Sequence, residues 1–311
     1  MCYSALVEAA YYDYMRQFGA DIDFRTFYER YVRRDESGRI IKLLRGMDRA
    51  FANPKSDLER DIAALIAKHD ATETARLETE MFVLRKRLAD AERKLASKPT
   101  KAAAERARIA TAKLESTRAR LADLKRSDAK PSDARIFPGV ECPIMVWEHG
   151  RRVIKPMRYQ CRPAGKPATY DRQYPGTYNA RRDNLHGFWR AQFGVTHGVL
   201  VAQRFYENVR TPDGQNQILE FAPRSGEPML IACLWSAWHD PTGKLPDLCS
   251  FAAITDEPEP EVAAAGHDRT IINLKPEHLD AWLSPNPSQL VTLQALFDDK
   301  RHPYYEHRIA A

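Results

Sequence analysis

Between Gly46 and Gly139 the chain has no glycine, and Phe82 is the only aromatic residue between Ala52 and Ile136. A segment with so few large side chains cannot build a globular core of its own. Cysteine is sparse and scattered: Cys2, Cys142, Cys161, Cys233 and Cys249 are odd in number and never in a CxxC spacing. Neither a disulfide framework nor a zinc site is indicated, and no metal or cofactor is expected. The four cysteines after Cys2 read as buried, reduced, small apolar residues. There is no apolar run of about 18 residues and no basic-then-apolar-then-small leader, so a soluble cytoplasmic protein without membrane contact is expected.

What is present begins with heptads. Leu77, Met81, Leu84, Leu88, Ala91 and Leu95 step alternately by four and three, and after Ser97-Lys98-Pro99-Thr100 the pattern resumes at Ala103, Ala107, Ala110, Leu114, Thr117, Leu121 and Leu124. This spacing predicts a coiled-coil seam broken at the proline, hence an antiparallel helical hairpin with arms of about 25 residues. Residues 71–127 carry 15 Lys and Arg against 8 Asp and Glu, so the net charge of +6 and the isoelectric point near 9.0 reside on this hairpin. Such a balance favours a polyanionic partner. Two readings stand side by side: a solvated arm that pairs with a protein partner or a second copy, and an arm that grips nucleic-acid backbone.

On either side the composition is that of an α+β domain. The spans Ala5 to Gly19 and Phe24 to Arg34 read as helices. Strand-like runs follow from Ile144 onward, at 199–202, 217–221, 229–235 and 271–274, with a short helix opening at Pro276. The organisation expected is a core formed by 1–50 and 137–311, interrupted by a helical insertion over 51–136.

Cys2 follows the initiator methionine directly. Removal of Met1 leaves an α-amine and a thiol on adjacent carbons, a pair that attacks an aldehyde twice: first as a Schiff base, then by closure to a five-membered thiazolidine. Reference pKa values of roughly 7.7–8.0 for the amine and about 8.5 for the thiol put both groups within reach of their reactive forms near neutrality. Four further patterns accompany this start: Tyr178-Asn179-Ala180-Arg181 after a Pro-Gly turn, Arg204-Phe205-Tyr206-Glu207 in a strand, Thr255 at the end of another, and Gly266-His267-Asp268-Arg269 before a third. A carboxylate beside Phe205 and Tyr206 is expected to have its pKa raised by desolvation, which suits a proton donor near neutral pH. Tyr170, Tyr174, Tyr178, Phe188 and Trp189 interleave with Arg172, Arg181, Arg182 and Arg190, the mixture that a single-strand groove uses.

Taken together, in this order, the Met1-Cys2 start, Asn179-Ala180-Arg181, Phe205-Tyr206-Glu207, the Thr255-to-Arg269 stretch and Pro276-Glu277-His278-Leu279-Asp280-Ala281-Trp282-Leu283 resemble the SOS response-associated peptidase (SRAP) family, the abasic-site processing proteins. The resemblance covers the core and leaves the hairpin outside. It implies a mixed β-sheet or barrel core with flanking helices. It also implies a DNA-damage protein that traps the aldehyde of an abasic site in single-stranded DNA as a thiazolidine crosslink, with lyase activity and a nominal thiol peptidase (hydrolase) role attached. Carried over, Cys2 is the nucleophile, Asn179 orients it, Glu207 handles protons, His267 assists Schiff-base formation and Arg181 holds a phosphate. Arg182, Tyr178, Trp189 and Arg269 join the DNA contacts. The chain departs from the family in having Tyr3 and Ser4 after Cys2, Asn208 after Glu207, and Thr270-Ile271 where a proline is common. Two other functions compete: an N-terminal-nucleophile cysteine autopeptidase, and a noncatalytic coiled-coil scaffold that recruits repair partners.

Overall fold

The computed structural model describes residues 4–7, 11–37, 41–211 and 213–310. It divides the chain into two units, Met1–Glu59 with Lys130–Ala311, and Arg60–Ala129. The first is a mixed α+β unit with these strands in chain order: β1 Ser4–Val7, β2 Asp21–Ile22, β3 Lys42–Leu43, β4 Arg135–Ile136, β5 Val140–Glu148, β6 Arg151–Tyr159, β7 Asn179–Arg181, β8 His197–Arg210, β9 Asn216–Pro223, β10 Met229–Trp238, β11 Leu248–Asp256, β12 Thr270–Ile271 and β13 Tyr305–Ile309. The helices, again in order, are α1 Tyr11–Phe18, α2 Phe24–Ser37, α3 Arg45–Ala50, α4 Asp57–Ser97, α5 Lys101–Lys125, α6 Tyr170–Gln173, α7 Pro260–Ala264, α8 Leu279–Leu283 and α9 Leu290–Asp298.

Five of the strands close on themselves. β8 pairs with β10, β10 with β11, β11 with β6 in parallel, β6 with β5, and β5 returns to β8 through Met145 opposite Val199 and Val146 opposite Gly198. Closure removes the edges of these strands, and their apolar runs are buried without interruption, as at Val199–Ala202 and Met229–Leu234. At the seam the backbones approach so closely that a Cβ on Gly198 would stand 2.9 Å from Ile144 Cγ2 and 3.3 Å from the Met145 carbonyl oxygen. Trp282 of α8 covers the same place: its indole N–H donates to the Gly198 carbonyl at 3.0 Å, and its ring stacks on His197.

β8 is long enough to do two things. Its first half belongs to the barrel; its second half runs on between β1, where Ser4 faces Tyr206, and β9, where Glu207 faces Leu219. The span Ala5–Gly19, read as one helix in the sequence, therefore splits, with β1 buried at all four positions and α1 beginning at Tyr11. A short run such as Ala5-Leu6-Val7 suits helix or strand equally, and the open place between β4 and β8 decides it.

In the second unit α4 and α5 form the antiparallel hairpin. α4 is 41 residues long, beyond the arm of about 25 that the heptads define, and α5 is 25. Thr100 caps α5 by accepting from the Ala103 N–H at 3.2 Å. Leu77, Met81, Leu84 and Ala91 of α4, with Ala103, Ala110 and Thr117 of α5, are buried in the seam. Arg120 reaches Glu73 at 3.2 Å and Lys125 reaches Glu78 at 2.8 Å across it. The unit is narrower than the 51–136 insertion read from composition. Phe51 makes edge contacts with Phe24, Phe27 and Tyr31, and Asp133 pairs with Arg49, so both flanks belong to the first unit.

Candidate active site

Glu207 lies on the apolar face of β8, in line with Phe205 and Val209 and opposite Leu219, all of them buried. Alternation along a strand puts residues two apart on one face, so the carboxyl is held between two hydrophobic neighbours. Only 1% of Glu207 is exposed, and burial pushes its pKa up to about 8. Phe205 is itself stacked on Phe221 at 5.0 Å.

His267 reaches this carboxyl from the turn after α7. Its Nε2 stands 3.2 Å from Glu207 Oε2. Its Nδ1 lies 2.9 Å from the Arg269 carbonyl oxygen, closer than the 3.3 Å to the Arg269 N–H, so Nδ1–H donates to the carbonyl and Nε2 keeps its lone pair toward Glu207. Burial lowers the His267 pKa. Both shifts disfavour the charged form of their group, so burial works against an ion pair here, and the 3.2 Å approach is a proximity rather than a hydrogen bond.

Arg269 continues the chain of contacts. Its guanidinium is 3.6 Å from Asp183, which Arg181 holds at 2.6 Å. Arg181 ends β7, a short strand laid parallel to β11 in the register Asn179 to Ala253 and Arg181 to Thr255. Asn179, two residues earlier, is 7% exposed, yet neither its Oδ1 nor its Nδ2 has a hydrogen-bond partner among the described residues. The Thr255 hydroxyl on the adjoining strand also lacks one among the described residues. Unsatisfied buried polar groups cost about 1–3 kcal/mol each, so a side-chain amide left open at both ends is a costly feature of the fold.

β1 pairs with β8 beside Glu207, Ser4 standing opposite Tyr206. Ser4 is fully buried, and its Oγ accepts from Arg135 Nε at 3.1 Å. The Arg135 guanidinium lies over the Tyr206 ring at 3.6 Å. Sequence reasoning missed Ser4 and Arg135, since their meeting depends on β1 inserting between β4 and β8. Arg204, one strand position before Phe205, is bound with Arg308 to the buried Glu220 at 2.7 and 2.9 Å, another cluster that no local motif discloses.

The remaining expected residues divide. Glu207, His267 and Arg269 form one contact chain that reaches Arg181, while Asn179 makes no hydrogen bond to any of them. Tyr178 is half-buried, edge-on to Tyr159. Arg182, expected to face DNA, is tied instead to Asp256 at 3.0 Å, to Asp298 and to Gln294, and braces β7 against α9. Trp189, expected as a stacking platform, is only 3% exposed; its neighbour Phe188, at 42%, presents the open ring. Cys2 lies outside the described residues. The thiols of Cys142, Cys161 and Cys233 are buried, that of Cys249 partly so, and burial raises the pKa of each.

Solved structures similar to this chain include a protein from Bordetella bronchiseptica at 19% identity and TM-score 0.47, covering 60% of this chain and 90% of the other. A protein from Bacteroides thetaiotaomicron matches at 15% and 0.47, over 57% and 78%, and a phage-related protein from Bordetella bronchiseptica at 17% and 0.42, over 57% and 81%. No curated protein matches the chain. The SOS response associated peptidase (SRAP) family model matches residues 96–309, from the end of α4 through β13, a span that holds Asn179, Glu207 and His267. The chain belongs to the SOS response associated peptidase family.

Proposed function

We propose that this protein senses abasic sites in single-stranded DNA and couples to them covalently through Cys2 once Met1 has been removed. Family membership supports a DNA-damage-associated function. What supports the finer reading is the desolvated Glu207, its pKa pushed up to about 8, lying 3.2 Å from His267 and next to Tyr206, which pairs with Ser4. Ser4 is two residues from Cys2, a span of at most about 7 Å, and Ser4 is paired with the neighbour of Glu207.

The chemistry needs a proton donor and an acceptor in that place. The abasic sugar is a closed hemiacetal; Glu207 gives its proton to the ring oxygen as the C1′ bond to that oxygen breaks, and the C1′ hydroxyl proton passes to the other Glu207 oxygen, so that an aldehyde forms and the carboxyl is restored. The unprotonated α-amine of Cys2 adds to the aldehyde carbon. The carbinolamine then expels its hydroxyl as water, with a proton returned through the Glu207 and His267 pair, to give an imine. The Cys2 sulfur closes on the imine carbon, its proton passes to nitrogen, and a thiazolidine forms with the net loss of one water. The unsatisfied Asn179 amide would orient the attacking residue. Arg181, Arg269 and the open ring of Phe188 would take the flanking phosphates and base, with Tyr178 beside them.

Intact mass spectrometry after incubation with an abasic oligonucleotide tests this. The expected product is the chain lacking Met1 plus the oligonucleotide, less one water, and Cys2→Ser should abolish the stable adduct while leaving an imine that borohydride can trap. A Cys2→Ser adduct as durable as that of the unaltered protein, without reductant, would overturn the mechanism.

A further inference from the structure

The hairpin unit carries a cleft of about 310 Å³ that the crosslinking chemistry does not use. It opens along the half of the hairpin nearest the turn. Leu84 and Ala91 of α4 and Ala103 and Ala110 of α5 form its apolar floor, with Ile109 half open at the edge. Arg87 and Lys94 stand on one rim, Arg106 and Lys113 on the other. Residues 84, 87, 91 and 94 step by three, four and three, and 103, 106, 110 and 113 step in the same way. Each arm thus turns one heptad stripe inward and a basic stripe beside it outward.

The charges on the two halves of the hairpin are handled differently. Toward the base, Arg120 and Lys125 are neutralised across the seam by Glu73 and Glu78, and Arg76 by Glu73 and Glu80. Around the cleft, Arg87, Lys94, Arg106 and Lys113 have no ion-pair partner among the described residues. Asp90, the carboxylate among the lining residues, is turned to Arg93 on its own helix.

We propose that this cleft is the docking site for an acidic amphipathic helix of a partner protein, which lies in it as the third helix of a bundle. Alanines on both arms leave the floor low enough to admit large aliphatic knobs from a third helix. The floor runs from 84 to 91 on one arm and from 103 to 110 on the other, about 10 Å or two helical turns. Carboxylates flanking the knobs would meet two cations on each rim. A second copy of this hairpin fits poorly, because it would set the same four cations against themselves. A single-stranded DNA backbone would use the rims but leave the apolar floor uncovered.

The test uses the full chain and a labelled synthetic helix of three heptads, with Leu at a and d and Glu at e and g. A peptide with Lys in place of Glu and a composition-matched scramble serve as controls. The Glu peptide is expected to bind saturably and at least about tenfold tighter than either control. The double variant Arg87→Glu, Arg106→Glu should weaken the Glu peptide by about tenfold or more and strengthen the Lys peptide. These side chains are exposed and in no ion pair, so circular dichroism should be unchanged; Arg87→Gln with Arg106→Gln gives the milder version. Three results would each overturn the proposal: equal binding of Glu peptide and scramble, a concentration-dependent dimer that the double variant abolishes, or displacement of the peptide only by a single-stranded oligonucleotide whose own affinity falls in the same variant.

Discussion

Glu207 and His267 meet at 3.2 Å, carboxyl oxygen to imidazole nitrogen, on the second half of a strand whose first half closes the barrel. Burial raises the pKa of the acid and lowers that of the base, so neither group gains from being charged in this place. This arrangement has consequences for stability as well as chemistry.

A carboxyl whose folded pKa lies at about 8, above its ordinary value, lends most stability at low pH and loses it as pH rises toward 8. The depressed His267 works in the opposite sense, costing stability only below its ordinary range. Glu207→Gln removes the first effect alone. Its stability relative to the unaltered chain, measured by urea unfolding, should improve between pH 5 and pH 8 by on the order of a few kcal/mol. A difference independent of pH would mean that Glu207 is ionised in the folded protein.

The same substitution should slow crosslink formation by about a hundredfold, the usual cost of a lost general acid or base, and flatten the pH profile on the limb near pH 8. His267→Ala should act on the imine step and spare ring opening, so that borohydride-trapped adduct falls relative to free aldehyde. Single-turnover rates across pH 5–8 check both. Unchanged rates in both variants would remove the pair from the mechanism.

Much of this site was legible in the sequence because it is carried by local motifs. Asn179, Glu207, His267 and Arg269 each sit in a short signature, and a carboxylate between aromatic and apolar strand residues announces its own desolvation. What could not be read depends on long-range pairing. Nothing local says that Ala5-Leu6-Val7 is a strand, that Arg135 caps Ser4, or that Trp189 turns inward while Phe188 turns out. The seam of the hairpin followed from its heptads, but its unit boundary did not, since Phe51 and Asp133 are assigned by partners distant in sequence or across the insertion.

Barrel closure rests on Gly198. Alanine there would force its Cβ against Ile144 and the Met145 carbonyl, with backbone on one side unable to yield. Gly198→Ala should cost roughly 1–3 kcal/mol, as overpacking of a filled core does. Thermal unfolding measures it; a melting temperature equal to that of the unaltered protein would show that the β5 and β8 seam opens more easily than its geometry implies.

The hairpin offers a test of modularity. Its seam buries its own apolar face, and the salt bridges Arg120–Glu73 and Lys125–Glu78 set the arms side by side, so residues 71–127 can be replaced by a short Gly/Ser linker across a narrow gap. Ser56 and Glu59, which cap the start of α4, and the cluster around Phe51 stay in place. The shortened chain should therefore fold and crosslink an abasic oligonucleotide within about twofold of the full-length rate, while losing the acidic-helix binding assigned to the cleft. Gel-based crosslinking and peptide titration of the same preparation separate the two functions. A shortened chain that folds but crosslinks more than about tenfold slower would show that the arm takes part in engaging DNA.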